Sequence, residues 1–203
     1  MGTRNLTCVV KNGEFRIAQY CQWDGYPSGV GTKVQDFIIR RLQTPEGLKA
    51  FNEQVLKTKQ ISTEAIRAKW KSVGADDSGW VNMEVSKKFQ NNWPHLDRDF
   101  GPKVLDMVFK DGDVELSMEQ EFAGASLFCE WCYVIDLDNN TLEVYRGFNK
   151  EKLDKSERFF CMPTDHEEYK QVRLYKSIPL SEVTEECMSK IDEQLAQENE
   201  DDE

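Results

Sequence analysis

The stretch Leu127–Leu137, LFCEWCYVIDL, is apolar on both faces of an extended chain, which fits a strand at the centre of a sheet. Asp138-Asn139-Asn140 then turns it into a second strand, Thr141–Tyr145. The chain opens on a similar signal. Asn5–Val10 and Glu14–Cys21 read as strands joined by Lys11-Asn12-Gly13, and Asn-Gly is a strong hairpin turn. Alternation puts Phe15, Ile17 and Gln19 on one face of the second strand and Arg16, Ala18 and Tyr20 on the other. A lone hairpin is barely stable in water, so the two strand regions are expected to join in one sheet.

Helical periodicity fills the interval between them. Val34, Phe37, Ile38 and Leu42 form one stripe, and Leu48, Phe51 and Val55 a second, which begins at Thr44-Pro45. Ser62 opens a third helix with Ile66, Trp70 and Val73 inward and Gly74 as its stop. A loop at 75–78, a short helix over Met83–Asn92 and another over Pro102–Lys110 follow. Val114–Met118, Arg158–Met162 and Gln171–Ser177 read as further strands. Ser181–Gln197 reads as a closing helix with Val183, Cys187, Ile191 and Leu195 at four-residue spacing. The expected fold is α+β, a mainly antiparallel sheet with helices packed on it. A single domain is expected over residues 1–197, followed by an acidic disordered tail at 198–203.

Between the first hairpin and the first helix lies Gln19–Gly31, QYCQWDGYPSGVG, with three glycines, a proline and three aromatics. Asp24-Gly25 reads as a turn pair with Gly25 at positive φ, and Tyr26-Pro27-Ser28-Gly29 fits a type I turn. Thr32 reads as a helix N-cap, with Gln35 completing a capping box. A helix start has unpaired N–H groups that suit an anion. Gly29 and Gly31 would give a ligand access to the backbone, Trp23 and Tyr26 a stacking face, and Asp24 a polar contact. The loop lacks the third glycine of a dinucleotide fingerprint and the Gly-Lys-Ser/Thr of a phosphate loop, so no cofactor is expected.

These residues carry a resemblance. Met1-Gly2-Thr3-Arg4, the Gly13 hairpin, Ala18-Gln19-Tyr20 and Gln22–Gly29 resemble a family of small phage, bacterial and fungal proteins, and Phe128–Phe148 is similar to a later block of it. That resemblance implies kinship and no particular activity. Thr3, Leu6, Gly13 and Ala18 are also spaced as in the N-terminal nucleophile hydrolases, which would imply an αββα sandwich and Thr3 as the nucleophile. The chain departs from that pattern: Gln19 stands where the family has an acid, and Lys33 lies near the family's lysine at a different offset. Methionine removal would expose Gly2 rather than Thr3.

The net charge is −11, and the segment from Ser181 onward carries −9 of it. The remainder is close to neutral, which argues against general nucleic-acid binding. No run approaches a membrane span and the N-terminus is no signal peptide, so a cytoplasmic protein is expected. Its six cysteines are then buried or free thiols.

Cys129-Glu130-Trp131-Cys132, with Cys161 and His166, has the spacing of a zinc set, but the pair lies in an apolar strand, where residues three apart face oppositely. No metal is expected. Asp136 and Asp138 end a strand, where paired carboxylates either form the turn or do acid–base work. A Cys21–His95 pair is a further option. Two functions compete. One is a binding module for a small molecule or protein at Trp23, Asp24, Tyr26, Gly29, Gly31 and Thr32. The other is a hydrolase of N-terminal-nucleophile or thiol type, with Thr3 or Cys21 as the nucleophile and Asp24 as a further catalytic candidate.

Overall fold

The computed structural model describes residues 2–76, 78, 80–164 and 166–201, the side chains of 199–201 excepted. Residue 77 of the expected loop and residues 202–203 of the expected tail fall outside it. The chain begins with β1 (Asn5–Lys11) and β2 (Glu14–Cys21), paired antiparallel. Asn12 and Gly13 both take positive φ, 57° and 71°, as the Asn-Gly signal requires. A π-helical turn at Pro27–Gly31 runs directly into α1 (Thr32–Arg41). Then come α2 (Pro45–Val55), β3 (Lys59–Gln60), α3 (Thr63–Ser72), α4 (Met83–Asn92), α5 (Lys103–Lys110) and β4 (Glu115–Leu116). The chain closes with β5 (Trp131–Asp136), β6 (Thr141–Arg146), β7 (Arg173–Pro179) and α6 (Cys187–Asp201).

The two strand regions do join. The main sheet has five strands in the order β2-β1-β5-β6-β7, with β5 central and all six of its residues buried. Only β1 and β5 run parallel; the other pairs are antiparallel. The fold is α+β. One face of the sheet, with Val9, Ile17, Tyr133 and Ile135, packs against helices through Val34, Phe37, Phe51, Leu105 and Ile191. The other face, with Leu6, Cys8, Ala18 and Val134, is covered by irregular chain that brings Ala123, Leu153, Phe159 and Val172 onto it.

Several elements differ from expectation. The described strands form the five-stranded sheet and one parallel two-residue pair, β3–β4, so the second sheet of an αββα sandwich is not among them. Val114–Met118 supplies only the two residues of β4. Arg158–Met162 is a series of turns, although Phe159 is fully buried. The central strand starts at Trp131 rather than at Leu127. A bulge between Val9 and Val10 shifts the β1–β2 register, so Phe15 packs on the face opposite to Ile17. Helix α3 has no buried residue; Trp70 is half-buried and stacks flat on Phe89 with ring centroids 3.7 Å apart. Helix α6 continues past Gln197, where Glu198 accepts from Arg146 and Tyr175.

Candidate functional site

The loop after β2 is fixed from below by two side chains of the sheet. Asn5, the first residue of β1, is fully buried, and its Nδ2 donates to the carbonyls of Thr3, Cys21 and Trp23. Tyr133 on β5 donates its hydroxyl to the Gly25 carbonyl at 2.8 Å. Gly25 has to be glycine, because a Cβ there would lie 2.7 Å from the Thr3 carbonyl oxygen and 2.9 Å from Asn5. Asp24, not Gly25, takes the positive φ, 56°. An aspartate tolerates that region better than most side chains do.

Several backbone donors of the loop are used by nearby carbonyls. Gly25 N donates to Thr3, Gly29 N and Gly31 N to Tyr26, and Val30 N to Asp24 at 2.7 Å. The Tyr26–Gly29 bond is the expected turn. Ser28 N donates to the Asp192 carboxylate at 3.0 Å, so the opening of this helical run already faces an acid of α6. Thr32 is not an N-cap: its N–H bonds back into the preceding turn and its hydroxyl donates to Pro27 O. Gln35 instead reaches α6, donating to Glu185 O and accepting from Met188 N. Gly29 and Gly31 allow close packing, on the Asp24 carbonyl and on Met188 and Tyr133 respectively, and Gly31 is buried.

The two aromatics remain available. Trp23 is 45% exposed and Tyr26 46%. The Trp23 indole N–H donates to Asp99 at 2.9 Å, and its ring lies against Gly2. Asp24 and Ser28 beside them are exposed. The loop is therefore a fixed backbone carrying two half-exposed rings.

The candidate nucleophiles Thr3 and Cys21 both meet Asn5 beneath the loop, through their carbonyls. Cys21 is 5% exposed and its thiol points at the Trp23 carbonyl, 3.6 Å away. Burial pushes its pKa up, and Asp99 adds to that against a smaller opposing effect of Lys33. Burial lowers the His95 pKa and Lys69 adds to that, while Glu115 opposes it; the thiol of Cys21 is directed to Trp23 rather than to an imidazole. Thr3 contributes its carbonyl to the loop.

Cys129 precedes the strand rather than lying in it, so it shares a buried cluster with Cys132 and Cys8. Burial pushes the Cys129 and Cys132 thiols well up, and Cys161 is exposed, apart from them. Among the described residues no group of three or more His, Cys, Asp or Glu is placed to hold a metal, and no helix is long and apolar enough to cross a membrane.

Sequence reasoning missed Arg158. Its guanidinium lies between Asp136 and Glu143, with Nε 2.7 Å from Glu143 Oε2, and Tyr145 donates to the same carboxylate at 2.7 Å. A cavity of about 380 Å³ adjoins it. A larger one, about 740 Å³, lies beside α3 between Trp70, Arg67 and the exposed Trp80. No local pattern announces Arg158, since its partners are 15 and 22 residues away.

The chain matches no family model, no curated protein and no solved structure.

Proposed function

We propose that the protein is a binding module for a protein partner and that the loop Trp23–Gly31 is its recognition surface. The observation that carries this reading is the pairing of exposure with rigidity: Trp23 and Tyr26 stay half-exposed on a backbone that Asn5 and Tyr133 hold in place. Trp and Tyr bring large contact area at low entropic cost and dominate interface energetics. A loop ordered before binding avoids the ordering penalty that mobile segments incur. Neither ring lines the cavity at α3 or the one at Arg158, which favours a broad contact over a small-molecule pocket.

The test is the double variant Trp23→Ala/Tyr26→Ala, compared with the parent chain for folding by circular dichroism and for proteins co-purified from its own cells. The variant should fold and lose specific partners. If it folds and retains every one, the reading fails.

A further inference from the structure

Beneath the loop, three buried side chains present oxygens with no hydrogen-bond partner among the described residues: Asn5 Oδ1, Thr7 Oγ1 and Gln19 Oε1. Their residues are 0%, 0% and 4% exposed. Asn5 and Thr7 are two apart on β1, and Gln19 on β2 stands directly opposite Thr7. Alternation sends all three to the helix-covered face, alongside Val9 and Ile17. The other such atoms, on Arg4, Asn52, Gln120 and Thr141, share no strand face with one another. Thr7 and Gln19 are directly opposed, a relation that puts Cβ atoms about 4.5–5.5 Å apart, and Asn5 is diagonal to Gln19, about 7–8 Å away and within reach of long side chains, so one small occupant can bridge the three groups.

The amide ends are assigned by their partners. Asn5 Nδ2 faces three carbonyls and Gln19 Nε2 donates to Tyr20 O, so in each case the oxygen is the end left over. Two acceptors and a hydroxyl then lie side by side away from solvent. Buried polar groups are almost always paired, with protein or with ordered water.

We propose that Asn5, Thr7 and Gln19 form an internal acceptor site that holds one small hydrogen-bond donor, of the size of water or an ammonium ion. Buried waters typically make about three hydrogen bonds to such groups. The flanking positions of the face are Cys21, Trp131, Tyr133, Val9 and Ile17, with no carboxylate among them. A bare cation there would be poorly compensated, so water is the expected occupant. It braces Asn5 against β2, and Asn5 sets the loop. The site stands whatever the loop binds.

The test uses the full chain in solution. Water–amide cross-relaxation spectra should show a long-lived water at the Thr7 and Gln19 amides, and the near-isosteric variants Thr7→Val and Gln19→Met should each remove that signal and lower the melting temperature. Melting in sodium chloride and in ammonium chloride at equal ionic strength distinguishes the donors. Where the cross-relaxation signal is present, equal values mean water, and a rise confined to ammonium means that ion occupies the same site. With no cross-relaxation and no ammonium effect, the site is empty of donors and the proposal falls, whatever the variants do to melting.

Discussion

The Asp138 carboxylate accepts the backbone N–H of Gly13 at 2.8 Å, joining the turn of one hairpin to the turn of the other. Its second oxygen takes the N–H of Asn12 at 2.9 Å, and Lys11 lies 3.2 Å away. The parallel pairing of β1 with β5 explains the meeting, because both strands then end at the same edge of the sheet. Asp138 thus serves as a turn residue rather than an acid–base group. The N–H groups of Gly13 and then Asn12 hold its carboxyl below the usual range. Asp138→Ala should cost about 1 kcal/mol in urea denaturation, less than the usual value for charged hydrogen bonds because the group is partly exposed.

Arg158 secures the irregular segment that covers the outer face of the sheet. Asp136 is 2% exposed on its side chain and Glu143 13%, so removing the guanidinium leaves two nearly buried carboxylates without their cation. Arg158→Met should destabilise by about 3 kcal/mol. Glu143→Gln added to it should recover part of that loss, which simple mispacking at position 158 would not allow.

Acid stability should follow the same network. Burial raises the Asp136 carboxyl, but hydrogen bonds from Asn139 and Arg158 outweigh it, and the net shift is downward. A carboxyl depressed on folding contributes fully above its unfolded pKa, about 3.9, and loses that contribution as pH falls through the folded value. Stability of the parent chain should therefore drop steeply below about pH 4. The Arg158→Met variant should show a shallower drop when melting is followed against pH.

The legible parts of the fold are those where burial and turn chemistry act on neighbours in sequence. The apolar run through Trp131–Asp136 announced the central strand, Asn12-Gly13 announced the first turn, and Thr44 and Ser62 open their helices as read, each as an N-cap that accepts from Gly47 or Ala65. Arg158–Met162 misled because Phe159 is buried from a turn, and hydrophobicity reports burial before it reports conformation. Thr32 misled because Pro27 starts the helical run a turn earlier. In the loop, Trp23 and Tyr26 could be picked out but not the reason for their placement. Asn5 reaches the Trp23 carbonyl and Tyr133 the Gly25 carbonyl, at separations of 18 and 108 residues.

Thiol chemistry should separate the cysteines by burial. Cys161 is exposed and Cys187 half-buried, whereas Cys8, Cys21, Cys129 and Cys132 are buried. At neutral pH an aromatic disulfide reagent should modify Cys161 quickly and Cys187 more slowly, and the other four only after denaturant is added. Fast, selective labelling of Cys21 would show an activated thiol and would favour the thiol-hydrolase reading over the binding module.

The loop Trp23–Gly31 should depend on Asn5 more than on any residue it displays. Asn5→Asp keeps the shape of the side chain but replaces the amide that faces the carbonyls of Thr3, Cys21 and Trp23 with a carboxylate oxygen. The two N–H donors shared among these carbonyls give way to repulsive contacts, and a carboxylate is placed at a fully buried position. The cost should be about 3 kcal/mol or more, from the lost bonds and the uncompensated charge. Gly25→Ala strains the same junction from the other side, since its Cβ would press on the Thr3 carbonyl and on Asn5, and overpacking of this kind costs about 1–3 kcal/mol. Hydrogen exchange locates the damage. In both variants the amides of Gly25 and Val30, which donate to Thr3 and Asp24, should exchange faster than those of β5. Uniform loss of protection would mean that Asn5 supports the whole sheet. Unchanged protection at Gly25 would mean that the loop holds its shape without Asn5.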